Sequence, residues 1–283
     1  MKNISVLNTL GTFKKIHYCV SGKLYLWSLA KMFEASRVIA LWTLLGLIVR
    51  TPDSSIFIAN AVYEITPYFY EKQFNYNNSF GKNIPIKIVI YISAIGKTSY
   101  TNVTEWIDLD TGKLVARMFT KFVHVSTATR KPKPIPDVFK NSIEHHLKSL
   151  KDVVQLERGK PISVSENVFI FKIKPLHSDC DSNNHINQAI YVRWCSDAGS
   201  AAALNGSLKQ YTKHIERYRV KSMDAHHLGE AVVGDIVDVC VWESGRTELT
   251  FVVRAGGITV YTLVMGFYED EPCAVEPHLE SKL

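Results

Sequence analysis

The 283-residue chain fits one large domain or two ordinary ones, and 46% hydrophobic with 21% charged residues is the balance of a soluble globular protein with a sizeable core. A net charge of +6 suits a phosphate-bearing or acidic partner, but no nucleic-acid motif and no basic run with interleaved aromatics is present, which argues against a nucleic-acid partner. The most apolar uncharged run, Val38 to Val49, has 12 residues where about 20 are needed to cross a bilayer, so no membrane span is expected.

The first 33 residues contain lysine but no acidic residue and no arginine. The missing acids resemble a mitochondrial or plastid leader, but the missing arginines and the regular pattern that follows do not, so a cytoplasmic location is favoured. Residues 11–20 end in alternation (Ile16, Tyr18, Val20) and predict a strand. Residues 24–49 predict a helix with Tyr25, Leu29, Met32, Phe33 and Ile39 on one stripe, stopped by Pro52. The aromatic-rich segment 52–85 is ambiguous and reads as loop with a short strand. Strands are predicted at 86–93, 98–108 and 113–125, with turns at Gly96 and at Asp110-Thr111-Gly112. A linker rich in proline and lysine, 127–136, leads into an amphipathic helix at 138–154.

The second half repeats this order. A strand at 167–173 precedes a helix at 186–204, and strands follow at 211–222, 235–243, 247–255 and 259–269. The hairpin glycines recur as well: Gly96-Lys97-Thr98 echoes Gly245-Arg246-Thr247, and Gly112 echoes Gly257. A duplicated unit of about 130 residues, each a sheet around one helix, is the pattern expected of two tandem domains. The polar segment 270–283 reads as a tail.

The chemistry concentrates between His177 and Ala198. Asp179, Asp181, Asn183, Asn184 and His185 form a polar loop, and from Ile186 apolar residues recur at helical spacing (Ile186, Ile190, Trp194). Asn, Asp and Ser favour the position just before a helix, whose free N–H groups would face the loop. Acid, base and amide at a positive helix end can stabilise developing negative charge. Spacing alone leaves a well-capped helix as an equal reading.

The 16-residue run from Asp179 to Trp194 resembles the signature of hotdog-fold thioesterases. Asp181, Asn183, His185, Asn187, Tyr191 and Trp194 stand in register with the Asp-x-Asn-x-His-Val-Asn-Asn-x-x-Tyr-x-x-Trp run of acyl-ACP thioesterases, and the Asp-Cys-Asp start is similar to the 4-hydroxybenzoyl-CoA thioesterase type. The resemblance implies an α+β fold, a tandem (double) hotdog with two antiparallel sheets joined edge to edge, each wrapped around a long central helix. It implies hydrolysis of acyl-CoA or acyl-ACP without a cofactor. It also implies residues 1–136 as an N-terminal hotdog shaping the acyl pocket, 137–160 as connection, and 161–283 as the catalytic hotdog. The chain would be a monomer with pseudo-dimeric halves or a homodimer.

Carried onto this sequence, Asp181 is the candidate general base or nucleophile, Asn183 orients the water or the thioester carbonyl, and His185 is base or donor. Backbone N–H groups after His185 would form the oxyanion hole. Asn187 and Tyr191 are candidate substrate contacts, with Arg130, Lys131, Lys133 and Arg246 as candidate grips on the carrier's phosphates or acidic face. Glu34 and Asp197 are expected in structural or pairing roles, since Asp197 lies about 18 Å along the helix from His185. The chain departs from the family at Lys221, where acyl-ACP thioesterases carry a Glu. That keeps a non-catalytic acyl-binding protein open, and a hydratase on the same fold is a further alternative. No metal is expected: His145-His146 and His226-His227 lack a third ligand, and the five scattered cysteines show no zinc spacing and read as reduced thiols.

Overall fold

Isoleucine on every second residue after Pro85 makes β3 (Ile86–Ile95), which buries Ile86, Ile88, Ile90 and Ile92 on one face. The same period-two logic gives β4 (Ser99–Asp108) and β5 (Leu114–Ser126), and in the second half β8 (Val237–Gly245), β9 (Glu248–Ala255) and β10 (Ile258–Phe267). With β1 (Leu7–Gly11), β2 (Ser54–Ile65), β6 (Phe169–Ile173) and β7 (Val220–His227) they form one antiparallel sheet of ten strands, in the order β1-β3-β4-β5-β2-β7-β10-β9-β8-β6. The computed structural model describes residues 7–11, 24–44, 53–72, 85–150, 153–157, 159, 162–181 and 185–269. The strand expected at 11–20 lies outside these residues except for Gly11, which ends β1, and so does the tail at 270–283.

Two expectations are corrected. The segment read as loop with a short strand holds the 12-residue β2 at the seam of the sheet, followed by the short helix α2 (Pro67–Lys72). Its alternation is hidden because a register shift between Ile58 and Asn60 breaks the period and because both edges are paired, with β5 on one side and β7 on the other. The strand expected at 211–222 begins only at Val220 and runs on to His227. Before it, the Tyr218 hydroxyl accepts the Thr212 and Lys213 N–H groups at 2.8 and 3.2 Å, holding the segment as a loop with a 3₁₀ turn at Ile215–Arg217.

At the seam β2 and β7 run antiparallel, pairing Asn60 with His226 and Tyr63 with Met223. The two halves are therefore related by a pseudo-two-fold, and equivalent hairpins fall at opposite ends of the sheet.

Helices α1 (Leu26–Leu44) and α4 (Gln188–Leu204) pack on the same side of the sheet and against each other. From α1, Leu26, Leu29, Ala30 and Phe33 are buried at helical spacing, and Phe33 stacks on Trp106 of β4 with ring centroids 3.9 Å apart. Around α4 the small residues Ala198, Gly199, Ala202 and Ala203 let its neighbours come close; a Cβ on Gly199 would sit 2.8 Å from Ile215 in the turn before β7 and 3.3 Å from Phe251 of β9. The amphipathic α3 (Asp137–Ser149) is shorter than its pattern predicts. The chain after it crosses the sheet, its carbonyls at Val154, Leu156 and Glu157 accepting from Ser93 (2.8 Å), Lys121 (2.6 Å) and Asn60 (3.5 Å).

Candidate active site

The polar stretch before α4 folds back on itself. Cys180 and Ile186 face each other in an antiparallel bridge, the Asp181 N–H donates to the His185 carbonyl at 2.8 Å, and the His185 N–H donates to Asp181 Oδ1 at 3.3 Å. Asp181 and His185 thus close a loop at the N-terminus of α4, both half-buried. Asn183 lies outside the described residues.

Asp179 anchors this loop. Its carboxylate, 3% exposed, accepts from Arg193 at 2.6 Å and from the Leu176 N–H at 3.0 Å, and its carbonyl accepts the Asn187 N–H at 2.9 Å. Asn187 caps α4, Oδ1 accepting the Ala189 N–H at 3.0 Å. Its Nδ2 donates to both oxygens of Glu34 on α1, each at 3.0 Å. The Asn187 amide is therefore committed at both ends, and Glu34 ties the first-half helix to the motif.

Of the backbone donors after His185, those of Asn187, Ala189 and Ile190 already have acceptors. The Gln188 N–H heads the helix, where no intrahelical acceptor exists. The Gln188 side chain is 9% exposed, and neither its oxygen nor its nitrogen finds a partner among the described residues.

Tyr191, one turn into α4, is 3% exposed and stacks on Tyr261 with centroids 4.8 Å apart. Its hydroxyl accepts the Ala231 N–H at 3.0 Å, and burial raises it to about 12. This bond fixes the loop that carries Glu230. Glu230 Oε1 lies 3.7 Å from His185 Nδ1 and accepts from Arg130 Nη2 at 2.7 Å. Phe57 of β2 completes the ring: it stacks on His185 at 5.7 Å, with the Arg130 guanidinium 5.3 Å above its centroid. Arg130 reaches this place from a left-handed backbone conformation (φ 55°), uncommon for a residue with a side chain.

The expected basic grip is thus divided. Arg130 is paired with Glu230 beside His185, Lys133 is paired with Asp53 at 2.7 Å, and Lys131 is exposed. Arg246 is exposed in the β8–β9 hairpin, beyond Glu248. Glu248 is level with Ser222, whereas Val253 is level with His227, so the hairpin stands roughly 17 Å along the sheet from the level of the site. The pseudo-two-fold sends this hairpin to the far end. Lys221 is likewise exposed near the start of β7, about 20 Å along the strand from His227. At the other end of α4, burial raises Glu216 to about 7, with Asp197 adding to the effect. These two carboxylates sit away from the loop.

Sequence reasoning missed Glu230 and Phe57. Glu230 sits in an ordinary Leu-Gly-Glu loop, and Phe57 belongs to the strand whose alternation is broken; neither carries a local signal. Among the described residues no group of three His, Cys, Asp or Glu is placed to hold a metal, and no helix is long and apolar enough to cross a membrane.

Known structures share this architecture along nearly the whole chain. The 12:0-ACP thioesterase of Umbellularia californica superposes with a TM-score of 0.71 at 14% identity, covering 93% of this chain and 97% of that one. An acyl-ACP thioesterase from Bacteroides thetaiotaomicron gives 0.71 at 16% identity, covering 93% and 98%. At such identities the likeness establishes the fold, a double hotdog. Among curated proteins, the chloroplastic palmitoyl-acyl carrier protein thioesterase of Cuphea hookeriana is 26% identical over 114 residues, 38% of this chain. The match spans 27% of that protein's length. No family model matches the chain.

Proposed function

We propose that the protein hydrolyses fatty acyl thioesters, carried on coenzyme A or acyl carrier protein, to the free acid and thiol. The observation that carries this reading is the closure of Asp181 on His185 at the N-terminus of α4, in a fold shared with acyl-ACP thioesterases. Water positioned by Asp181 loses its proton to the carboxylate as its oxygen attacks the thioester carbon. The resulting oxyanion takes the positive end of α4, where the Gln188 N–H is the first helical donor. Collapse breaks the C–S bond, and the thiolate leaves without needing a strong acid. His185, braced between Phe57 and Glu230, holds the carbonyl or the water by a hydrogen bond, and Asn183 is assigned to the same task.

Residues 161–283 carry the chemistry in this reading, 1–136 shape the acyl pocket and 137–160 connect them, with one active site per chain. The first half nevertheless enters the site through Glu34, Phe57 and Arg130. The test is thiol release across saturated acyl-CoA and acyl-ACP chain lengths, beside absorbance of enoyl-CoA. Thiol release that depends on chain length supports the proposal. Hydration of enoyl-CoA without thiol release, or tight binding without either, replaces it.

A further inference from the structure

The buried stripe of α1 runs Leu26, Leu29, Ala30, Phe33 and then Arg37, which is 3% exposed. Its Nη1 reaches Thr120 Oγ1 at 3.5 Å and the Met118 sulfur at 3.8 Å, the guanidinium lies 5.1 Å from the Phe122 ring centroid, and Nε has no partner among the described residues. No carboxylate pairs with it among the described residues. Glu34, one turn earlier, favours the charge from a distance without offsetting its burial, and is itself held by Asn187 and by Lys31 at 3.3 Å. A hydroxyl at the limit of hydrogen bonding, a thioether and a ring face do not offset the loss of water around a guanidinium. An apolar residue on this stripe would make a more stable core.

The position relates Arg37 to the site. It lies three residues beyond Glu34, hence about 4.5 Å further along α1 from the Asn187 bridge and toward the first half. Burial lowers His227, which packs against Tyr191, to about 4, with the neighbouring His226 and then the Arg37 charge adding to the effect. Asn102 and Thr104 of β4, level with Thr120 and Met118 of β5, are buried as well, so polar groups recur around Arg37.

Resting on the thioesterase reading, we infer that Arg37 is a recognition site for an oxygen acceptor on the acyl group, best met by a carboxylate at the end of a chain whose thioester lies at Asp181 and His185. An anion supplies the missing charge, and the fork of a guanidinium with a free Nε matches a carboxylate with two parallel hydrogen bonds. The preferred substrates are then mono-thioesters of dicarboxylic acids, ahead of hydroxyl-ended chains and of methyl-ended chains of equal length.

The test uses non-hydrolysable thioether analogues of acyl-CoA ending in methyl, hydroxyl or carboxylate, bound to the full chain and followed by calorimetry, with kcat/KM for the matching thioesters. The wild type should bind the carboxylate-ended analogue about tenfold or more tighter than the methyl-ended one. Arg37→Leu, with Arg37→Met as a second variant should Leu not fold, should abolish or reverse that order. Equal or weaker binding of the carboxylate-ended series by the wild type at every length overturns the inference, and this arm needs no variant. Discrimination in binding without hydrolysis of any thioester would leave the Arg37 site standing and remove the thioesterase reading. Hydrolysis of methyl-ended chains, indifferent to Arg37→Leu, would do the opposite.

Discussion

Replacing Asn187 by alanine removes two things at once. The N-cap bond to Ala189 is lost, which costs about 1 kcal/mol, and so are the two hydrogen bonds to the Glu34 carboxylate, which together cost about 1.5–3 kcal/mol. The cap is buried, so water does not replace these partners fully, and the sum is about 3 kcal/mol. At roughly 2–4 °C per kcal/mol for a large domain, Tm should fall by about 6–12 °C. Glu34→Ala should cost about half as much, since Glu34 keeps a fifth of its side chain in water and Lys31 beside it. The decisive assay is a double-mutant cycle by denaturant unfolding. The double variant should lose about 1.5 kcal/mol less than the sum of the singles, because both remove the same bonds. Additivity within about 0.5 kcal/mol would mean that the bridge between the halves contributes nothing, and the reasoning would fail.

Three other outcomes follow from the site. Tyr191→Phe leaves the buried Ala231 N–H without its acceptor and should cost about 1–3 kcal/mol in stability, with turnover falling as the Glu230 loop loosens; an unchanged melt would refute the link. Glu230→Gln should leave Tm within a degree or two, because the Arg130 pair is exposed, yet lower kcat/KM about tenfold; wild-type turnover would release Glu230 from any role beside His185. Lys131→Glu should raise KM and flatten its salt dependence without touching kcat, whereas Arg130→Glu should lower kcat as well, because only Arg130 reaches the His185 partner; identical effects of the two reversals would undo that division.

The strands whose alternation is clean, such as the Ile-rich β3, were legible at once, and so was the loop-to-helix junction at His185, because polar caps and apolar helical spacing are local signals. What stayed hidden depends on contacts distant in sequence. β2 looks irregular because a mid-strand shift lets it pair with both halves. The extension of β7 was masked by the polar pair His226-His227, which lies along the seam. Glu230 and Arg130 are 100 residues apart and meet because β2 pairs with both β5 and β7, so the segments that leave those two strands lie side by side. The pseudo-two-fold explains why Arg246, the hairpin counterpart of Lys97, was misplaced: a repeat in sequence does not reveal that its copies point to opposite ends.

In the proposed reaction Asp181 drives attack on a thioester carbon. Single-turnover hydrolysis of the best acyl-CoA or acyl-ACP by wild type and Asp181→Asn tests it most directly, with Tm and substrate affinity measured on the same preparations. An intact fold, near-unchanged affinity and a rate lower by about 10²-fold or more are expected, since a general base supplies that much. Hydrolysis by Asp181→Asn at the wild-type rate would contradict it.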